Sequence, residues 1–170
     1  MIDPKKHSEQ RGIVESILRY IPGFRGYLEK DYRQESDRLA RQAMADRLQE
    51  GKQALDHFML KLVNAGQLDP LTDCERVKTR IDSLILKMRS AVRGYSGFFD
   101  YVRVDEDLLD QVYENDMALI QDVEGLAATI EQLAAKPDPA TTSIDDILGR
   151  IEDIDRKFAR RGQLLNGLGS

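Results

Sequence analysis

Acid–base chemistry in this sequence would fall to Asp116, His57 and Tyr113, because a carboxylate, an imidazole and a phenol held within hydrogen-bond reach can relay a proton near neutral pH. Asp116 is the one acid that sits on the regular apolar spacing of its segment. Counting levels through the neighbouring segments sets it near Arg80 on one and His57 on the other, where a buried charge pair would fix helix register. The simpler reading is preferred: Tyr113, Met117 and Ile120 carry the stripe, and Asp116 stays at its edge in water. His57 then has no titratable partner fixed by the sequence and is a flanking histidine. Cys74 opens a helical segment, a position that lowers a thiol pKa, but a packed small apolar side chain is the stronger expectation. With one cysteine and only His7 and His57 besides, a Cys/His zinc site lacks ligands. Ser96, in Gly94-Tyr95-Ser96-Gly97, is not a nucleophile elbow: the second-glycine spacing, a preceding strand and a nearby histidine are all missing. No catalytic residue, metal or cofactor is expected.

The elements that carry these side chains are helices. Charged residues make up 32% of the 170, prolines number five, and no strand-rich stretch competes. Ile13, Val14, Ile17, Leu18 and Ile21 recur at helical spacing before "PGF" stops the first segment. From about Tyr27 to Ala65 runs a long helix whose second half steps through Leu48, Gly51, Leu55, Phe58 and Leu62, the period of supercoiled helices. Its first half is irregular, with Glu35 breaking the stripe and the cluster Leu39, Ala40, Ala43 and Met44 shifting its phase. A bend or a change of packing partner is expected there. Gly66 and Pro70 mark a turn, and Val77, Ile81, Leu84, Met88 and Ala91 define the next helix. Leu109, Val112, Leu119, Val123, Leu126, Ile130 and Leu133 define a third, and Ile144, Ile147, Ile151, Ile154 and Phe158 a last one.

The expected fold is all-α: an antiparallel three-helix bundle of long coiled-coil-like helices, roughly 27–65, 71–93 and 105–135, with a short helix at each end. By domain, 1–25 is an N-terminal arm, 26–135 the bundle with an aromatic insert at 94–104, 136–143 a linker, 144–160 a C-terminal helix and 161–170 a disordered tail. The middle helix covers only about half of the first at 1.5 Å per residue, so residues 27–43 need another cover. "GYSGFFDYV", residues 94–102, holds four of the eleven aromatic side chains. Phe98, Phe99 and Tyr101, with Tyr95, are read as a plug over Leu39 and Met44; the alternative is an exposed aromatic binding loop. The arm can also fold back over residues 27–43.

Residues 105–135 carry nine acids and no Lys or Arg, and residues 70–93 six basic residues against three acids. The two segments most simply attract each other across the bundle; the sharper alternative is an acidic face that docks a basic partner. A net charge of −5 disfavours nucleic acid. No apolar run is long enough to span a bilayer and no signal-peptide pattern opens the chain, so a cytoplasmic location is expected.

The residues "IPGFRGYLEKDYRQESDRLARQAMADRL" and "GYSGFFDYVRVDEDLLDQVYENDMALI" together resemble an uncharacterised bacterial family of small helical proteins with a proline-glycine-aromatic entry and a Gly-Tyr-Ser-Gly-Phe-Phe loop. Pro22, Gly23, Phe24, Gly26, Tyr27 and Lys30 match the entry, and residues 94–100 the loop. The resemblance implies a bacterial helical protein and no activity, and it pairs Phe24 and Tyr27 with the loop as interaction or plug residues. The functional expectation is a non-enzymatic helical module that binds an unidentified protein or a second copy of itself. The alternative is a peripheral membrane or envelope-stress component acting through the N-terminal amphipathic helix, with Arg19, Arg25 and Lys30 near the head groups.

Overall fold

The apolar spacing is realised as five helices, α1 (Pro4–Tyr20), α2 (Lys30–Asn64), α3 (Leu71–Ser90), α4 (Glu106–Ala135) and α5 (Ile144–Leu165). They belong to a computed structural model that describes residues 4–91, 106–135 and 144–165. Each expected seam is turned inward. Leu48, Gly51, Leu55, Phe58 and Leu62 of α2 are buried, as are Val77, Ile81, Leu84 and Met88 of α3 and Ile147, Ile151, Ile154 and Phe158 of α5. After α2, Gly66 takes the left-handed conformation (φ 70°). Its N–H reaches the Val63 carbonyl while Gln67 N–H reaches that of Leu62, so the last carbonyls of the helix are satisfied.

The three-helix bundle is corrected by how these helices meet. α2 packs along α3 and α4, α5 also packs along α3 and α4, and α1 lies on α4. α3 and α4, expected as direct neighbours, stand on the diagonal of a four-helix ring that the C-terminal helix completes. The physical reason is width. Besides its seam α3 buries Cys74 and Ile85, and α4 buries Tyr113, Ile120 and Ala127, so both present stripes too broad for one partner. Helix directions follow from paired residues. Lys52–Asp82 (2.5 Å), Lys78–Asp56 (2.9 Å) and Arg89–Asp46 (3.3 Å) run α3 antiparallel to α2. Arg150–Thr129 and Lys157–Asp122 run α5 antiparallel to α4.

The attraction expected between acidic α4 and basic α3 is replaced by other partners. Glu124 and Glu131 of α4 hold Arg47 of α2, and Asp122 holds Lys157 of α5. The α3 cations use Asp46, Asp56 and Asp155 instead. Most of these pairs are solvent-exposed on at least one side, Arg47 being the most buried member at 20% exposure. Exposed pairs are worth about 0–1 kcal/mol each, so they choose among helix partners more than they stabilise the fold.

The first half of α2 is met by the N-terminal arm. α1 runs up along α4, with Gln10 donating to Asp110 (2.5 Å) and Ile17 and Ile21 buried. The chain then doubles back through residues 21–29 with Gly23 and Gly26 at positive φ. This entry loop covers α2: Arg25 N–H donates to Ser36 Oγ (3.1 Å), and the space beside Gly23 is closed by Leu39. The plug residues Tyr95, Phe98, Phe99 and Tyr101 lie outside the described residues. At the other end α5 continues to Leu165, with Arg161, Leu164 and Leu165 buried, which corrects the disordered tail for residues 161–165.

Where α2 crosses α4, a side chain on Gly51 would sit 3.2 Å from the Ala127 Cα, which is backbone and cannot step aside. Gly51→Ala is therefore expected to cost about 1 kcal/mol or more in urea unfolding, despite the roughly 1 kcal/mol of helix propensity it gains. Gly149→Ala is the counterpart. Gly149 is exposed on α5 and nothing lies within 4 Å of its Cβ position, so the same exchange should stabilise by up to about 1 kcal/mol.

Candidate functional site

Asp116 is 1% exposed and Arg161 is fully buried, so the largest concentration of ionisable groups lies inside the ring rather than on it. Five segments contribute. The entry loop brings Tyr27, α2 brings Asp37 and Arg41, α4 brings Tyr113 and Asp116, α5 brings Arg161, and the last turn of α3 offers the Met88 carbonyl. The Tyr27 hydroxyl donates to Asp116 Oδ2, and Arg161 Nε donates to Asp116 Oδ1 (2.6 Å). Arg161 Nη2 reaches the Tyr27 oxygen (3.0 Å) while Nη1 makes an ion pair with Asp37 Oδ1 (2.6 Å). Asp37 Oδ2 accepts from Arg41 Nε (3.0 Å), and Arg41 Nη1 donates to the Met88 carbonyl (2.9 Å).

The entry loop is seated by the same cluster. Tyr27 stacks on Tyr113 with ring centroids 5.4 Å apart, and Phe24 meets Tyr27 edge-on at 5.5 Å. Tyr27 N–H donates to the Tyr113 hydroxyl (2.7 Å), and Arg33 donates to the Tyr27 and Leu28 carbonyls (2.6 and 2.8 Å). Only a glycine fits at position 26, where a Cβ would lie 2.5 Å from the Tyr113 hydroxyl.

Two phenols and one guanidinium of this cluster are shifted by their surroundings. Burial, reinforced by the negative charge of Asp116, raises the Tyr27 phenol well above its ordinary value. Burial lowers the Arg161 pKa, but the charges of Asp116 and Asp37 outweigh it and keep the guanidinium positive. Burial also raises the Tyr113 phenol. With the phenol locked neutral and the guanidinium locked positive, neither exchanges a proton near neutral pH. What the arrangement does is tie five segments together at one level, through the hydrogen bonds of Asp116 and Arg41 and the Asp37–Arg161 ion pair.

Both tyrosines have folded pKa values above the roughly 10 of an unfolded chain, so their contribution is fully present below about pH 10 and is lost as pH rises beyond it. The urea midpoint should fall as pH rises above about 10. Tyr27→Phe should flatten that fall while costing about 1–3 kcal/mol at neutral pH for the buried acceptor left behind. An unchanged alkaline slope in Tyr27→Phe would exclude this titration as its cause.

Asp116 therefore departs from the preferred edge-in-water reading. It is buried, but its partners are Tyr27 and Arg161; His57 and Arg80 are exposed on α2 and α3 and join nothing there. Tyr113 adjoins the cluster and His57 does not, so the acid–imidazole–phenol combination is not assembled. Phe24 and Tyr27 are buried in the core. Cys74 is buried too, its thiol raised by burial and then by Asp73 and Glu75, the opposite of activation. Of the apolar stripe that a membrane reading uses, Ile17 and Ile21 are in the core and Ile13 and Val14 pack against it, while Leu18 is 44% exposed.

Arg161, Asp37 and Arg41 were missed although their spacing marks them. The α5 seam 144, 147, 151, 154, 158 continues to 161 and 165, and the α2 seam extended backwards from Leu48 passes through 44, 41 and 37. Among the described residues no group of His, Cys, Asp and Glu could hold a metal ion, and no helix is long and apolar enough to cross a membrane. Comparison with protein-family models, curated proteins and solved structures finds no match, so the family resemblance rests on its motifs alone.

Proposed function

We propose that this chain is a non-enzymatic helical protein–protein interaction or scaffold module acting in the bacterial cytoplasm. The observation that carries the reading is where its ionisable groups are used. Asp37, Arg41, Asp116 and Arg161 are buried and spent on one another, joining segments from both halves of the chain in one packed core. A chain invested in a fixed shape has its outer faces left for work, and Leu60, Val63 and Leu68 lie half or more exposed around the end of the α2–α3 hairpin. The test is affinity purification from the native host followed by reconstitution from purified components. A stoichiometric complex measurable by calorimetry supports the reading. Failure of every captured protein to bind the purified chain, together with a strict monomer in sedimentation at high concentration, would overturn it.

A further inference from the structure

Between the end of α1, the middle of α2 and the centre of α4 lies a half-open groove of about 210 Å³. Its floor is hydrocarbon from Ile21, Met44, Ile120 and Val123, with half-buried Ala43 at the mouth and half-exposed Tyr20 along one wall. The volume is below the roughly 300–1,000 Å³ usual for small-molecule and cofactor sites. It suits one apolar side chain and the stem of a neighbour.

The rim has a definite sign. Arg47 stands in it, but its donors are already taken: Nε and Nη2 by Glu124, Nη1 and Nη2 by Glu131, and Nη1 also by Glu50. Asp46 completes the rim and reaches Arg89 at 3.3 Å. Four carboxylates thus face two guanidinium groups, a surplus of two negative charges, and the Glu50, Glu124 and Glu131 side chains remain 64%, 45% and 41% exposed. An incoming anion meets repulsion, whereas an incoming cation finds carboxylate oxygens open to solvent. Apolar floor and acidic rim together are the complement of an amphipathic helix that carries Lys or Arg beside a large apolar residue.

Resting on the interaction-module reading, we infer that this groove is a docking site for a basic amphipathic helix of a partner protein, which inserts one apolar side chain over Ala43 and sets a cation against Glu50 and Glu124. The probe is a fluorescein-labelled helical peptide of about four turns with a leucine stripe flanked by lysines, read by fluorescence anisotropy against the full chain. A second peptide carries glutamates in place of the lysines. The lysine peptide should bind, and more weakly as salt rises; the glutamate peptide should not. Ala43→Phe, which fills the mouth, and Glu50→Lys, which reverses an exposed rim charge without touching the core, should each weaken binding about tenfold or more.

No binding of the lysine peptide overturns the site. So does equal binding of both peptides, or binding untouched by Glu50→Lys in a variant with wild-type melting. Self-association lost in Glu50→Lys would replace the named occupant with a second copy and overturn the proposal as stated. None of these results touches the broader interaction reading, which falls only if reconstitution with native partners also fails.

Discussion

Arg161→Met is expected to lower the free energy of unfolding by about 3–5 kcal/mol and the thermal midpoint by roughly 6–20 °C. The methionine fills most of the volume, so an empty cavity is not the reason. The cost comes from charge left behind. Asp116 loses the guanidinium that meets its Oδ1 and keeps only the Tyr27 hydroxyl, in a place where it is 1% exposed. Asp37 fares better, because Arg41 still meets its other oxygen. Removing one member of a buried ionic group is far costlier than replacing the whole group with apolar side chains of like size. The triple variant Tyr27→Phe, Asp116→Leu, Arg161→Met should therefore recover most of the loss. Urea unfolding of both variants decides the matter. A single variant that loses less than about 1 kcal/mol would mean that the network does not hold α5 in the ring. A triple variant no better than the single would mean that shape, not charge, made Arg161 necessary. Hydrogen exchange adds a local readout: the amides of α5 should lose protection before those of α2.

What the sequence revealed, and what it hid, follows from how apolar periodicity is read. Seams made of Leu, Ile, Val and Phe were legible because burial and residue type agree along them. The same seams run on through charged residues, and there the signal reverses sign. Asp37 and Arg41 stand at the α2 seam spacing, Asp116 on that of α4 and Arg161 on that of α5, and all four are buried. Read by hydropathy, the α2 stretch looked like a shift of phase; read by spacing, it is one uninterrupted seam whose inward positions change from hydrocarbon to charge. The ring order was harder to read for another reason. Stripe width, not stripe period, decides how many neighbours a helix needs, and the residues buried beside the seams, Cys74 and Ile85 on α3 and Ile120 and Ala127 on α4, do not stand out in the spacing of the seams themselves. Charge patterning misled as well, since acidic α4 and basic α3 each found opposite charges on α2 and α5. The entry motif was legible as a motif, but its job was not: Phe24, Gly26 and Tyr27 lock the loop onto Tyr113 across a separation of 86 residues for the Tyr27 N–H bond.

That lock sets the second large effect. Gly26→Ala should destabilise by about 2–5 kcal/mol, although it adds one methyl group. Gly26 has φ 83°, a conformation that costs an L-residue about 1–2 kcal/mol. The new Cβ would also lie 2.5 Å from the Tyr113 hydroxyl, which must move away. That hydroxyl accepts the Tyr27 N–H, so its displacement orphans a buried donor at about 1–3 kcal/mol more. Backbone strain and lost hydrogen bond are separable by a second substitution. Tyr113→Phe removes the obstructing atom and leaves the next neighbours, Tyr113 Cζ and Val14 Cγ2, at 3.4 Å, close but adjustable. It also orphans the Tyr27 N–H by itself, so the double variant suffers that loss once rather than twice. In a double-mutant cycle from urea unfolding the two substitutions should fall short of additivity by about 1–3 kcal/mol. Additivity within about 0.5 kcal/mol would show that Gly26 is needed for its backbone conformation alone, and that Tyr113 does not gate the fit of the entry loop. The expected shortfall instead ties the turn to the stacked tyrosines, and through the Tyr27 hydroxyl to Asp116 and Arg161, so that loop, α4 and α5 dock as one cooperative unit.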